Sequence, residues 1–241
     1  MSESLMDTIQ NNYWQVRESI DRAAHTVNRD PNSVKLLVVT KGQPIEKIQA
    51  VLSAGGTLFG ENYVEEATSK IKKLVDKHIE WHMIGHVQSR KARLVSEYFD
   101  WVHSLDSLKL ARRLDNFSRE YNRVLPVLLE CNVSHEASKF GWSAWDEDRW
   151  PELVDDISSM FELPNLSVRG LMTMPPYDPD PEISRPYFVK LRRLRDFLMD
   201  KFPQANFSEL SMGMSADYQV AVQEGATIVR VGTAIVGQRT S

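Results

Sequence analysis

The chain has 241 residues, 42% of them hydrophobic and 26% charged, an ordinary globular composition with enough apolar material for one large core. A formal net charge of −4 argues against a dedicated nucleic-acid binder, and no apolar run approaches the roughly 18 residues of a membrane span. Cys131 is the only cysteine, so no internal disulfide can form. With a polar N-terminus unlike a signal peptide, this predicts a reducing, cytoplasmic setting.

In chain order, residues 1–30 form a leading segment in which Leu5, Ile9, Tyr13, Val16, Ile20, Ala24 and Val27 recur at spacings of three or four. That period predicts an amphipathic helix ended by the turn at 28–32. Leu36-Leu37-Val38-Val39 is a continuous apolar run, the pattern of a parallel strand covered on both faces, and Lys41 stands where it runs out. A helix follows through Ile48, Val51 and Leu52, then a strand over 57–60 and a helix with Val64, Ala67, Ile71 and Leu74 on one face. Strands are predicted over 79–85, 101–104, 124–133, 166–173, 207–212 and 227–231. The helices between them fall at 89–98, 107–121, 147–160, 184–201 and 216–224. Eight strands, each followed by a helix or short turn, predict a single α/β domain over 1–241. Its architecture is a (β/α)8 TIM barrel over 35–238, and an open doubly wound sheet is the competing arrangement. The Pro- and Asp-rich stretch 175–182 reads as a surface turn at the carboxyl end of strand six.

Parallel barrels carry ligands at the carboxyl ends of their strands. Lys41 lies at such an end, where desolvation would make its amine a nucleophile toward an aldehyde; a solvated strand-end lysine is the plain alternative. After strand seven comes Ser211-Met212-Gly213-Met214-Ser215, with Gly213 allowing close backbone approach and Ser215 placed as a helix N-cap. After strand eight come Gly232 and Thr233. Both are sites where barrels bind phosphate. The first is not a serine-hydrolase elbow, because its second glycine is missing. Arg230 sits inside a buried strand, so it either pairs with a carboxylate such as Glu130 or Glu209 or faces a ligand acceptor. A lysine, two phosphate turns and a cation between them fit pyridoxal 5′-phosphate (PLP).

The segments VVTKGQP, FGENYVEEA, WHMIGHVQSRK, SLDS, SKFGW, RGLMTM, LSMGMSADYQVAV and IVRVGTAIVG stand in this order between about residue 35 and 238. They closely resemble the YggS/PROSC family of pyridoxal-phosphate homeostasis proteins. The resemblance implies a fold like the alanine racemase N-terminal barrel and an internal aldimine on Lys41. It implies phosphate binding by Ser211, Gly213, Ser215, Gly232 and Thr233, a pyridine contact from Arg230, and Asn62 and His82 on the cofactor face. It also implies a role in PLP homeostasis and amino-acid balance without established turnover, as a monomer whose partners are PLP and PLP-dependent apo-enzymes, with no nucleic acid and no membrane. The alternative is an amino-acid racemase, disfavoured because the chain has no room after strand eight for the second domain that gives alanine racemase its other base. His86 and Arg90 depart from the family's usual proline and asparagine. Other readings carry less. His82 and His86 lack the pattern of a metal pair, the basic clusters at 90–93 and 192–195 read as solvated helix faces, Cys131 reads as core, and Lys139 is the second-choice lysine.

Overall fold

The computed structural model describes residues 4–74, 78–136 and 139–238. The leading helix α1 (Leu5–His25) starts at Ser4, whose hydroxyl accepts the Asp7 amide at 3.1 Å while the Asp7 carboxylate accepts the Ser4 amide at 3.2 Å. This reciprocal cap satisfies two of the amide donors that a helix start leaves without partners. Ile9, Tyr13, Val16 and Ile20 form its buried stripe, whereas Leu5 and Val27, included in the predicted stripe, are exposed. The period there outlasts the helix, which ends at His25.

Eight strands close a barrel: β1 (Lys35–Val39), β2 (Leu58–Glu61), β3 (Glu80–Met83), β4 (Trp101–Leu105), β5 (Leu125–Asn132), and, after the two-residue β6 (Trp142–Ser143), β7 (Leu166–Met172), β8 (Glu209–Ser211) and β9 (Ile228–Val231). Every pairing is parallel, in the order β4-β3-β2-β1-β9-β8-β7-β5, and the β4–β5 pairing closes the ring. The short β6 adds to β5 alone. It escapes prediction because two residues carry no period.

The helices are α2 (Ile45–Ser53), α3 (Val64–Lys73), α4 (Ala92–Tyr98), α5 (Leu108–Glu120), α6 (Val154–Met160), α7 (Arg185–Lys201), α8 (Tyr218–Gln223) and α9 (Thr233–Val236). The predicted helix at 147–160 is a tighter 3-10 coil through Leu153, because Pro151 has no amide to donate in an α-helical ladder. The fold class expected from the strand count is therefore the one observed.

Side chains alternate across each strand, so the barrel has an outer core beneath its helices and an inner one. The inner apolar cluster is small: Leu37, Ile84, Leu128, Met172 and Ile228. Each contributes roughly 1.5–3 kcal/mol by leaving water. Val39, Leu58, Trp101 and Met174 pack against it, and beside them the interior holds polar groups, with His82, His103, Ser211 and Arg230 all buried. Buried polar groups need partners, and here those partners connect the barrel's depths to its mouth.

Candidate functional site at the barrel mouth

A cleft of about 500 Å³ opens at the carboxyl ends of the strands and brings together Lys41, Asn62, Ser215, Arg230, Gly232 and Thr233. Val39, Ile84, Met174 and Met214 give it apolar walls. Tyr177 and Asp178 also line it, so the 175–182 stretch contributes to the site instead of being a plain surface turn.

Lys41 lies two residues past the end of β1, and the backbone on both sides of it is gripped from α3. Lys70 Nζ donates to the Thr40 carbonyl at 2.7 Å and pairs with Glu61 at 2.8 Å and Glu66 at 2.6 Å. The Thr40 hydroxyl donates to Glu61 at 2.7 Å, and the Gly42 amide donates to Glu66 at 2.7 Å. Glu66 and Lys70 lie one helical turn apart, which is why one helix face can hold both flanks of the lysine. Burial raises the carboxyl pKa of Glu61, a shift that Lys70 and Thr40 oppose.

The two predicted phosphate turns meet. The Ser215 hydroxyl accepts the amides of Gly232 and Ala234 at 3.3 and 3.4 Å, so those amides converge on one oxygen position. Ser215 is not the N-cap expected of it. Helix α8 starts after Asp217, whose carboxylate accepts the Met214 amide at 2.7 Å. Gly213 has φ +90°, and a Cβ there would lie 2.5 Å from that of Ala221. Its glycine serves the turn and the packing of α8, and it is buried behind the cleft. At Gly232 a Cβ would press on Val39 at 3.2 Å, so this backbone lies tight against β1.

Arg230 is 3% exposed, and among the described residues it forms no ion pair. Its Nη1 donates to Ser211 Oγ at 2.6 Å and its Nη2 to the Thr173 carbonyl at 2.8 Å. Burial lowers its pKa to about 10, against the pull of Asp217 and Glu130, so it stays a cation at neutral pH. Neither carboxylate offered as its structural partner takes that role. Glu209 pairs with Lys35 at 2.7 Å, and Glu130 keeps Oε2 without a partner. Burial pushes the Glu130 carboxyl up to about 7, helped by Asp106.

Two residues expected on the cofactor face point elsewhere. Ser211 is fully buried, and its hydroxyl lies between Arg230 and His103 Nδ1, 2.9 Å away. His82 lies deeper, with Nδ1 2.8 Å from His103 Nε2 and its ring stacked on Trp101. Its Nε2 is 2.8 Å from Glu80 Oε1, a close contact without the alignment of a hydrogen bond. The reason is strand parity: an even residue offset from an inward-facing neighbour keeps a side chain inside the barrel. His103, absent from the sequence reading, shares that inward face with Trp101, and its partners lie on other strands.

The distractors separate as well. His86 leaves His82 behind, pairs with Asp106 at 3.0 Å and stacks on Phe140. Among the described residues no cluster of three or more His, Cys, Asp or Glu side chains could hold a metal. Arg90 lines a separate cleft with His86 and Lys91. Lys139 is not among the residues lining the main cleft and lies 3.8 Å from Glu136. Cys131 is buried, and desolvation raises its thiol pKa above the ordinary range.

Fold and cleft together define a parallel (β/α)8 barrel with its ligand site at the strands' carboxyl ends. Residues 7–240 match the family described as "Alanine racemase, N-terminal domain". The chain is 42% identical over 238 residues to the pyridoxal phosphate homeostasis protein of Vibrio alginolyticus, covering 97% of this chain and 99% of that one. Among solved structures, PipY of Synechococcus elongatus with PLP bound matches with a TM-score of 0.78 and 36% identity, over 91% of this chain and 100% of that one. Alanine racemase of Clostridium difficile matches with a TM-score of 0.71 and 15% identity, over 98% of this chain and 58% of that one, a likeness of fold alone. The chain belongs to the alanine racemase N-terminal-domain family and, within it, to the pyridoxal phosphate homeostasis proteins.

The cleft passes a test of fit for that cofactor. It holds a primary amine, converging backbone amides with a hydroxyl, and a buried cation. Asn62 adds a buried Oδ1 that has no hydrogen-bond partner among the described residues, which marks a place for a ligand's polar group.

Proposed function

We propose that this protein binds PLP in the barrel-mouth cleft and serves its homeostasis, holding and releasing cofactor without turning over a substrate. The carrying observation is Arg230, a buried guanidinium with no carboxylate partner, in the same cleft as Lys41 and the Ser215–Gly232 turn. Lys41 is the attachment residue, its stem fixed by the bonds to Thr40 and Gly42. Ser215, Gly232 and Thr233 hold the phosphate by amides and hydroxyls, and Gly213 shapes the turn behind them. Asn62 orients the ring's polar edge. Arg230 would contact the ring nitrogen, while Ser211 directly, and His82 through His103, support the guanidinium from below.

When bound, the cofactor supplies an aldehyde to the lysine and an electron-accepting ring. A donor-only guanidinium does not favour protonation of the ring nitrogen as a carboxylate would, and it keeps that ring a weak electron sink. This agrees with a carrier. The proposal takes 1–241 as one cofactor-binding unit, a cytoplasmic monomer exchanging PLP with apo-enzymes. A lone reduced cysteine agrees with that compartment, and no described helix is long and apolar enough to cross a membrane.

The test is a visible spectrum of purified protein incubated with PLP, then borohydride reduction and peptide mass mapping. The expected result is a yellow protein carrying the pyridoxyl mass on Lys41. A protein that cannot be loaded, or a label on Lys139, overturns the assignment. Amino-acid-dependent deuterium uptake at the α-carbon would favour the racemase reading instead.

A further inference from the structure

Between the floor of the cleft and the opposite face of the barrel runs an unbroken file of side chains. Arg230 Nη1 meets Ser211 Oγ at 2.6 Å, Ser211 meets His103 Nδ1 at 2.9 Å, His103 Nε2 meets His82 Nδ1 at 2.8 Å, and His82 Nε2 meets Glu80 Oε1 at 2.8 Å. Both histidines are 1% exposed or less, and Glu80, at the first position of β3, has a half-exposed side chain. The file joins the neighbouring strands β3 and β4 to β8 and β9, and its His103–Ser211 step spans 108 residues, so it exists only in the closed barrel.

The two ends dictate the order of protons along it. Arginine only donates, so Ser211 accepts from Arg230 and has its own proton left for His103 Nδ1. His103 then carries its hydrogen on Nε2 and gives it to His82 Nδ1. His82 in turn carries its hydrogen on Nε2, facing Glu80, which only accepts when ionised. The reverse order would leave the serine proton without an acceptor and would set an imidazole lone pair against a carboxylate. The electrostatics agree. Burial lowers the pKa of both rings and keeps them neutral, outweighing Glu80 and Asp100 at His82; Lys35 lowers both, and the charge of Arg230 adds to the shift at His103. Contact with His82 lowers the pKa of Glu80 and keeps it an anion.

We propose that His103 and His82 are positioning residues for Arg230: a directed hydrogen-bond file from His82 through His103, with the Glu80 carboxylate in close contact beyond its far end, orients the Ser211 hydroxyl so that its lone pair holds the guanidinium at the cleft floor. The role toward PLP rests on the function proposed above, but the proton order is a property of the protein itself.

The first measurement is therefore on cofactor-free protein: long-range ¹⁵N–¹H correlation spectra of histidine-labelled chain, assigned with His82→Gln and His103→Gln. Both rings are expected as neutral Nε2–H tautomers at pH 8. An Nδ1–H tautomer at either ring, or an imidazolium at pH 8, overturns the file. The second measurement is PLP affinity and the position of the bound-cofactor band. His103→Phe keeps the volume and removes both bonds, so it should weaken binding roughly tenfold and shift the band. His103→Gln, which presents an acceptor and a donor in similar places, should recover most of both. Equal losses in the two variants, or none in His103→Phe, overturn the positioning role. If Phe abolishes folding, His103→Leu, smaller and equally without hydrogen-bonding atoms, gives the same readout. A wild-type protein that binds no PLP sinks the proposed function and leaves the tautomer result standing.

Discussion

The two cationic residues of the cleft are held in opposite ways. Lys41 is fixed through its backbone, by a clamp of ionised groups in which one lysine lies between two glutamates. Arg230 is fixed through its side chain, by a serine hydroxyl and a carbonyl that carry no charge. The difference fits the roles proposed for each. A lysine that reacts needs a fixed stem while its side-chain torsions follow the cleft, so the clamp acts on Thr40 and Gly42. An arginine that only presents charge needs a fixed guanidinium, and a carboxylate partner would cancel the charge it presents.

The largest expected effect comes from opening the charged side. Lys70→Met leaves Glu61 buried without its cation and removes the donor to the Thr40 carbonyl. It should cost about 3–5 kcal/mol in denaturant unfolding. A loss below 1 kcal/mol would mean that the clamp is not what holds the loop.

Next comes Glu130, the carboxyl whose charge is felt by Arg230 without pairing with it. Its folded-state pKa, about 7, lies above the ordinary 4.5 of a glutamate, so the folded chain binds this proton more tightly than the unfolded one. That stabilisation is complete below about pH 4.5 and is lost as pH rises through 7. Glu130→Gln should therefore gain about 3 kcal/mol relative to wild type between those limits, read by urea unfolding at several pH values. A difference independent of pH would show that burial does not hold the Glu130 proton, and the contrast between charged and neutral halves would fail.

The smallest effect sharpens the comparison. Glu66→Ala removes the acceptor of the Gly42 amide and should cost about 1 kcal/mol, while Glu66→Gln, which keeps an acceptor oxygen, should cost less. Identical losses would assign the role of Glu66 to its charge alone.

The sequence by itself determined the fold class and the working end of the barrel. Continuous apolar strands alternating with period-3.6 helices are local signals, and they need no knowledge of pairing. Lys41, Ser215, Gly232 and Thr233 were legible for the same reason: they sit within a few residues of a strand's carboxyl end, where any parallel barrel places its ligand site. Arg230 was legible because a lone charge in an apolar strand is conspicuous. The tertiary structure alone decided which way the remaining candidates face. Ser211 and His82 belong to the motifs but point into the barrel, Gly213 lies behind its turn, and the 175–182 stretch lines the cleft through Tyr177 and Asp178. Direction depends on strand parity relative to the closed ring, and a one-residue change of register would turn every such side chain to the other face. Closure likewise set His103 between residues 21 positions before it and 108 after it, a meeting that no local pattern encodes.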